Sequence, residues 1–474
     1  MILVFKETLA NIRKWTWHHV LVFILTFFLY ACLHACRNAF SNIKNVLAKS
    51  LSPQNWTDSL YPCNTWQKEH MISNLNDANE FLGMLDTLYM LAYSIGLFIS
   101  GTMGDRLNLR IMLVFGMCGS SITTFLFGYL IDALNSHKKF YYYGLFFLNG
   151  LLQSTGRPAT VAILGNWFSK SLGGVLYGLW GTNASVGNIV GSSIVSVTIS
   201  YGYPIGMLIN SCLLFCGGVI VYICLITHPN QVGLDKWDER DLSRKLLNND
   251  GKFQKKKAIG LIEAFFIPDV LPYALCYACI KMVNYIFFFW LPLYLTQQLK
   301  WVDEKSAVLS GFYDIGGIIG GIVAGIITDM INMRSPVICI MLLLSTGSLY
   351  FYGKADGTYY TNVSLMVATG FFIGGPDNII STAITVDLGK HDEIINNAEA
   401  LATVTGIIDG TGSFGAAVGQ FLVPVISKHY NWNLVFYFLI VMVGCSFLCI
   451  LPILRKDIKS MKNRKKESFN QTSI

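Results

Sequence analysis

The sequence has little charge and lacks the short motifs of common enzymes. Only 13% of its 474 residues are Asp, Glu, Lys or Arg, against about 25% in ordinary soluble domains. It contains no zinc-spaced set of His and Cys, no phosphate-binding P-loop and no nucleophile elbow. These absences exclude an ordinary soluble domain and argue against an enzyme, a metal site or a bound cofactor.

What the chain has instead is hydrophobic length, since 53% of its residues are hydrophobic. Twelve runs are long enough to cross a bilayer, at about 20 residues each, and they predict an all-α membrane protein. The first run carries His34 and Arg37 and has no small-residue cleavage site, so we interpret it as a retained helix. The runs lie at roughly 20–40, 82–103, 111–132, 141–165, 172–197, 203–226, 268–298, 308–328, 335–353, 362–386, 400–425 and 432–454.

One pattern occurs twice and divides the chain into halves. GTMGDRLNLR at 101–110 is echoed by GIITDMINMR at 325–334, each after the second run of a set of six. The repeat predicts two six-helix pseudo-repeats, 1–226 and 262–474, joined by a cytoplasmic linker at 227–261. Two repeated bundles are typical of transporters that rock about a central site. The charged hairpins are predicted to be gates, with Gly101, Asp105, Arg106 and Arg110 in the first and Asp329 and Arg334 in the second.

The distribution of basic residues predicts the orientation. Most of the 35 Lys and Arg residues lie in the termini, the linker and the hairpins after even-numbered runs. The positive-inside rule therefore predicts that both termini face the cytoplasm. We interpret the basic tail after Arg455 as part of this signal and expect no nucleic acid partner. Asn55, in the first loop on the opposite side, is a predicted glycosylation site.

Three basic residues, Arg37, Arg157 and Lys281, are placed within predicted spans. A cation at the centre of a span costs about 2.5–3.5 kcal/mol even on the lenient insertion scale, so each needs compensation. One interpretation is that they bind an anionic substrate. The alternative is that each side chain snorkels to a membrane interface.

Helical spacing groups these cations with polar neighbours. One face of the first helix carries Tyr30, His34 and Arg37. One face of the seventh helix carries Lys281 together with Asn284 and Tyr285. Because the first and seventh runs are counterparts in the repeat, we expect the two faces to oppose each other across a cavity. A guanidinium fork and an ammonium suit phosphate oxygens best.

Four acids also fall within the runs. Asp86 and Asp314 lie near run starts, where a carboxylate favours a helix N-terminus, and we interpret both in that structural way. Asp377 and Asp409 are more interior. Asp409 is the candidate for proton coupling, with pairing to a lysine as the alternative.

Several segments resemble a known family. YACLHACRNAFSNIK, YACIKMVNYIFFFWLPLYL and GFFIGGPDNIISTAITVDLG are similar to the sugar phosphate exchangers, the solute carrier 37 group of the major facilitator superfamily. The likeness covers nearly the whole chain. It implies the twelve-helix fold of that superfamily and exchange of an organic phosphate, such as glucose 6-phosphate or glycerol 3-phosphate, for inorganic phosphate. It also implies an endoplasmic reticulum or lysosomal membrane.

The resemblance assigns site residues and also shows departures from the family pattern. The family's first-span arginine falls on Arg37. Bacterial members carry a second arginine at the place of Asn284, whereas this chain has Lys281 one turn earlier. Arg157 stands where related chains have tryptophan, and we expect it to replace some of the lost charge. Two further departures are asparagines, Asn38 in place of lysine and Asn166 in place of histidine.

Two alternatives remain open. One is a proton-coupled organic anion transporter that uses His34 and Asp409. The other is a membrane scaffold or subunit whose own transport has been lost, and this reading implies an accessory membrane partner.

Overall fold

The computed structural model describes residues 15–51, 72, 75–130, 138–168, 173–234, 260–389 and 400–472. The predicted glycosylation site Asn55 and most of the predicted linker lie outside these residues. The described part is helical and contains no strand. Its first half consists of α1 (Trp17–Leu51), α2 (Leu75–Gly104), α3 (Leu109–Phe125), α4 in two segments (Lys139–Gln153 and Gly156–Trp167), α5 in two segments (Gly173–Gly181 and Asn183–Thr198) and α6 (Tyr203–Cys224).

The second half repeats this order after a short helix, Leu261–Phe265. In α10, a π-helical turn at Ile380–Ile384 joins the long first segment to a short second one. The helices are α7 (Val270–Gln297), α8 (Asp303–Ile331), α9 (Ser335–Gly353), α10 (Tyr359–Ile379 and Thr385–Gly389), α11 (Leu401–His429) and α12 (Trp432–Thr472).

Ten helices of the described chain are long and apolar enough to cross a membrane, which confirms the all-α membrane class. The two other predicted spans, α4 and α11, are helices that do not meet both conditions. α4 is interrupted because Pro158 has no N–H for the Ser154 carbonyl, which instead accepts a 3.0 Å hydrogen bond from Ser100. α11 runs for 29 residues, but polar residues, including Asp409, interrupt its apolar buried face.

Three predictions about α1, α2 and α8 were wrong. α1 continues well beyond the predicted run and buries Lys44, a fourth intramembrane cation with 0% exposure. Asp86 lies in the middle of α2 and its carboxylate pairs with the Lys44 ammonium. Asp314 lies in the middle of α8. Neither acid therefore acts at a helix start, because both helices begin earlier than the apolar runs suggest.

The two halves meet along close helix pairs, α2 with α11 and α5 with α8. A Cβ on Gly101 would lie 2.9 Å from Gly406 Cα, and one on Gly178 would lie 2.9 Å from the Gly321 carbonyl oxygen. Only small residues allow backbones to approach so closely. The contacts between the halves surround a central cavity.

Candidate functional site

A central cavity of about 50 Å³ lies between the two halves. This volume holds only a few water molecules. Helices of both halves line the cavity. Seven predicted site residues are among its walls: Tyr30, His34, Arg157, Lys281, Asn284, Tyr285 and Asp409.

Lys281 forms a buried ion pair with Asp409. The ammonium lies 2.6 Å from Asp409 Oδ1 and donates a 2.8 Å hydrogen bond to the Ser413 hydroxyl. The two charged side chains are only 2% and 5% exposed. Asp409 Oδ2 has no hydrogen-bond partner among the described residues. In this structure Asp409 therefore pairs with a lysine, which was the alternative to proton coupling. Lys281 neither snorkels to an interface nor faces lipid.

Arg37 lies beside the cavity rather than on its wall. Its Nη1 donates a 2.8 Å hydrogen bond to the Tyr285 hydroxyl, across the two halves, and its Nε and Nη2 donate to Gln153 Oε1 at 3.4 and 3.2 Å. Its guanidinium carbon is 4.5 Å from the centre of the Tyr93 ring. Lys281 Nζ is 5.5 Å from that ring and 5.2 Å from the Tyr285 ring. The two predicted cations therefore converge on the same two tyrosines.

Arg157 is a third cation at the cavity and is 4% exposed. Its Nη2 donates a 3.0 Å hydrogen bond to the Ser381 carbonyl of the opposite half. Its guanidinium packs 5.1 Å from the Tyr30 ring and 5.3 Å from the Trp180 ring, and its Nε has no hydrogen-bond partner in the described chain. Neither Arg157 nor Arg37 forms an ion pair with any described residue.

The other polar residues of the cavity form a network away from these contacts. His34 Nδ1 lies 3.3 Å from Asn188 Oδ1, and Asn188 Nδ2 donates a 2.7 Å hydrogen bond to Asp314. Tyr313 donates through its hydroxyl to Asn284 Oδ1 at 2.8 Å. The predicted His34 and Asn284 thus belong to hydrogen-bonded pairs that join different helices.

One predicted site residue is placed elsewhere. Asn166, near the end of α4, lies 3.2 Å from His228 Nε2 and donates to the Thr227 carbonyl at 3.4 Å. It is not among the residues of the cavity wall. The expectation that Asn166 takes a histidine's place in the site is therefore not supported by its contacts, which instead attach α4 to the segment that follows α6.

The two hairpins close one end of the cavity, which we call the hairpin end. Asp105, between α2 and α3, accepts hydrogen bonds from the Ala402 and Thr403 amides at 3.0 and 2.9 Å and from the Thr403 hydroxyl at 2.7 Å. Asp329, at the end of α8, accepts from the Val175 amide at 2.8 Å. Each carboxylate thus binds the N-terminus of a helix in the opposite half, where backbone N–H groups lack intrahelical partners.

The arginines of the hairpins behave differently from the acids. Arg334 Nε lies 2.6 Å from Asp387 Oδ2, within the second half, and its Nη1 lies 4.0 Å from Asp329. Arg106 is exposed and Arg110 is half-buried, and neither side chain has an ion pair with a described residue. The repeated aspartates, rather than the repeated arginines, make the contacts between the halves.

The opposite end, which we call the far end, is closed by contacts between α1 and α7. Pro292 in α7 has no N–H to donate to the Phe288 carbonyl. The Ser41 hydroxyl of α1 donates to that carbonyl at 2.7 Å, and Lys44 Nζ donates to the next one, Phe289, at 3.1 Å. Contacts between the halves therefore lie at both ends of the cavity.

Sequence reasoning missed several residues of this site. The Tyr93 ring packs against the two cations Arg37 and Lys281. Gln153 accepts hydrogen bonds from both Arg37 and Tyr89, and Asn188 connects His34 with Asp314. The spacing of Tyr89 and Tyr93, i and i+4 on α2, places both on one helix face, and this was the available signal. Nothing in the spacing indicated Gln153 or Asn188.

An all-helical membrane protein whose two halves line a charged central cavity has the architecture of a secondary transporter. Residues 26–394 match the Major Facilitator Superfamily. The chain is 44% identical to sugar phosphate exchanger 3 of Mus musculus, over 98% of this chain and 99% of that protein. The chain belongs to the major facilitator superfamily and, within it, to the sugar phosphate exchanger family.

Two other relatives have names that mention phosphate esters. A putative glycerol-3-phosphate transporter 5 of Arabidopsis thaliana is 36% identical, over 95% of this chain and 94% of the relative. A glucose-6-phosphate exchanger of Xenopus laevis is 34% identical, over 95% of each chain. The whole length of this chain is thus similar to transporters, and none of these relatives is named as an enzyme.

Proposed function

We propose that this protein exchanges an organic phosphate, a sugar phosphate or glycerol 3-phosphate, for inorganic phosphate by alternating access. The observation that carries the proposal is the convergence of three buried cations from helices of both halves: Arg157 and Lys281 line one cavity, and Arg37 lies beside it. Only Lys281 forms an ion pair with a described residue. The names of the relatives supply the substrate class.

The chemistry of the three cations fits a phosphoryl group. Arg37 is held by neutral acceptors and aromatic faces, which compensate a charge less well than an anion does. Phosphate oxygens accept charge-assisted hydrogen bonds from a guanidinium fork, frequently in a bidentate manner. Lys281 adds a point charge, which its ion pair with Asp409 keeps in position at the cavity. We infer that the substrate competes with Asp409 for this ammonium.

Exchange follows from the same charges. In this proposal, a carrier without an anion has cations in a low-dielectric cavity that lack a full counter-charge, and such a state resists the transition in which both ends are closed. Inorganic phosphate and a phosphate ester present the same oxygens, so either one compensates the cations. The carrier then returns only when loaded, and this couples the two fluxes.

The distribution of basic residues supports an orientation with both termini in the cytoplasm, so that the hairpin end is the cytoplasmic gate. We assign Gly101, Asp105 and Asp329 to that gate, and place the protein in the membrane of the endoplasmic reticulum or lysosome by its family resemblance. Arg106, Arg110 and Arg334 then lie around the gate as part of its charged rim.

Counterflow in proteoliposomes tests the function. Vesicles loaded with inorganic phosphate should take up labelled phosphate, and glucose 6-phosphate or glycerol 3-phosphate should compete. Arg37→Gln should reduce exchange by about a hundredfold or more, because two charge-assisted hydrogen bonds contribute about 3 kcal/mol or more together. Arg455→Gln, which removes an exposed arginine of α12, is the matched control and should exchange normally.

Other outcomes separate the alternatives. Uptake driven by a pH gradient into vesicles without internal phosphate would favour the proton-coupled carrier that uses His34 and Asp409. Absence of flux from a folded protein that purifies with a stoichiometric membrane partner would favour the scaffold or accessory subunit. Full exchange by Arg37→Gln would remove Arg37 from the site.

A further inference from the structure

One wall of the cavity carries acid and amide groups. Asp314 in the middle of α8 is 9% exposed and lines the cavity together with Asn188, Asn38 and Asn378. No described cation forms an ion pair with Asp314. This wall is not built for a phosphoryl group, because a carboxylate repels an anion at close range.

The hydrogen-bond capacity of this wall is only partly used. An ionised carboxylate accepts at about four lone-pair positions and donates at none. Asn188 Nδ2 donates to Asp314 at 2.7 Å, and the Ser185 side chain also forms a hydrogen bond with this carboxylate. The orientation of Asn188 is fixed from its other side, because its Oδ1 lies 3.3 Å from His34 Nδ1. A ligand that meets Asp314 therefore has to bring donors.

Two other acids of the same cavity point to the same need. Asp377 Oδ1 and Asp409 Oδ2 are shielded from solvent and have no hydrogen-bond partner among the described residues. Both residues line the cavity, and Asp409 is 3% exposed. A buried acceptor without a partner costs about 1–3 kcal/mol. A ligand with several hydroxyl groups would supply donors to these carboxylate oxygens.

We infer that Asp314, oriented by Asn188 and assisted by Asp377, forms a hydroxyl-binding subsite that reads the non-phosphate end of the substrate. It accepts hydrogen bonds from the hydroxyls of a neutral polyol or sugar, while Arg37, Arg157 and Lys281 hold the phosphoryl end. The subsite rejects phosphate esters whose far end carries a second negative charge. The inference rests on the proposed function and names the residues that give it specificity.

A matched pair of competitors tests the subsite on the unaltered protein. Glycerol 3-phosphate and 3-phosphoglycerate share a three-carbon skeleton, but the second carries a carboxylate at its far end. Glycerol 3-phosphate should inhibit exchange of labelled inorganic phosphate at least about tenfold more strongly, since the loss of one hydrogen bond to a charged group is worth about 1.5–3 kcal/mol. Equal inhibition by the two would overturn the inference.

The variant Asp314→Asn adds a second readout. The substitution keeps the size of the side chain but replaces a carboxylate acceptor by an amide. Uptake of glucose 6-phosphate should fall about tenfold or more relative to exchange of inorganic phosphate for itself. 3-Phosphoglycerate should become a stronger inhibitor. Asp356→Asn, at an exposed position, is the control.

The failures of the two proposals are distinguishable. If the unaltered protein does not exchange phosphate for itself, the proposed function fails. If it does exchange phosphate, and Asp314→Asn lowers phosphate and glucose 6-phosphate exchange by the same factor, the subsite fails while the function stands. Should the variant not fold, the competitor pair on the unaltered protein decides the question.

Discussion

The buried Lys281–Asp409 pair gives a stability prediction that separates structure from function. Asp409→Asn removes the counter-charge of the Lys281 ammonium and leaves it two neutral side-chain acceptors, the new amide oxygen and the Ser413 hydroxyl at 2.8 Å. Removal of one partner from a buried ion pair costs about 3–5 kcal/mol, because the other charge stays uncompensated. We expect the lower end, about 3 kcal/mol, since Ser413 remains in place.

A double-mutant cycle measures this coupling. Asp409→Asn leaves the Lys281 ammonium without its counter-charge, and Lys281→Gln removes that ammonium. The double variant should therefore lose less free energy of unfolding than the two single variants lose in sum, by about 2 kcal/mol or more. The exposed pair Lys428–Glu80, at 2.6 Å, is the matched control, and its coupling should lie between about 0 and 1 kcal/mol. Unfolding of detergent-solubilised protein, followed by intrinsic fluorescence, is the measurement.

Phosphate titration extends the same experiment to function. In Asp409→Asn the freed ammonium should bind phosphate more readily, so added phosphate should stabilise this variant more than the unaltered protein. A hundredfold excess over the dissociation constant stabilises by about 2.7 kcal/mol. The double variant should recover stability without exchange, because it lacks the cation. Additive single effects, or equal phosphate stabilisation, would refute the reasoning.

Three further predictions concern the gates and Arg157. Asp105→Asn should speed amide hydrogen exchange at the start of α11 about tenfold or more, and Asp329→Asn should do so at the start of α5. Each variant is the other's control. An effect of either variant at both sites would contradict the view that each carboxylate stabilises only its own helix N-terminus. Ser41→Ala should destabilise the protein by about 1–3 kcal/mol, because it leaves the Phe288 carbonyl without a donor. This loss should be smaller in a Pro292→Ala background, where α7 regains an N–H. An unchanged loss in thermal unfolding would argue against this role of the Ser41 hydroxyl. Arg157→Lys keeps the charge but loses the planar fork, so the KM for phosphate in counterflow should rise about tenfold, whereas an unchanged KM would show that only charge matters there.

The sequence predicted the membrane class and the cations of the site because burial of charge in a span is rare enough to be informative. Arg37 and Lys281 were expected to converge, and they meet at Tyr93 and Tyr285. Whether they bind phosphate stays a prediction. The placement of Arg157 at the cavity was likewise open from the sequence, since its depth depends on where α4 breaks.

Other features could not be predicted because they depend on helix ends and on contacts distant in the chain. Hydropathy ended the first span before Lys44, whose pairing with Asp86 makes its burial tolerable. The same error placed Asp86 and Asp314 at helix starts. Asn166 was assigned by resemblance alone, and its side chain donates a hydrogen bond to the segment after α6, 61 positions along the chain.

The arrangement of ion pairs explains how the halves can move relative to each other without stranding a buried charge. Lys44 and Asp86 both belong to the first half, and Lys281 and Asp409 both belong to the second. Each pair therefore moves with its half as a rigid unit. Breaking such a pair would cost several kcal/mol, and a rocking motion does not require it.

Arg37 and Arg157 differ from these lysines, since neither forms an ion pair with a described residue and both reach across the boundary between the halves. Arg37 donates to Tyr285 and Arg157 to the Ser381 carbonyl, and both acceptors are neutral. Separation of the halves removes these bonds and leaves both guanidiniums without these acceptors. An anion that compensates the two charges while the bonds are broken lowers the barrier between the states. The coupling of substrate to movement should therefore depend more on the two arginines than on Lys281, whose counter-charge Asp409 moves with it.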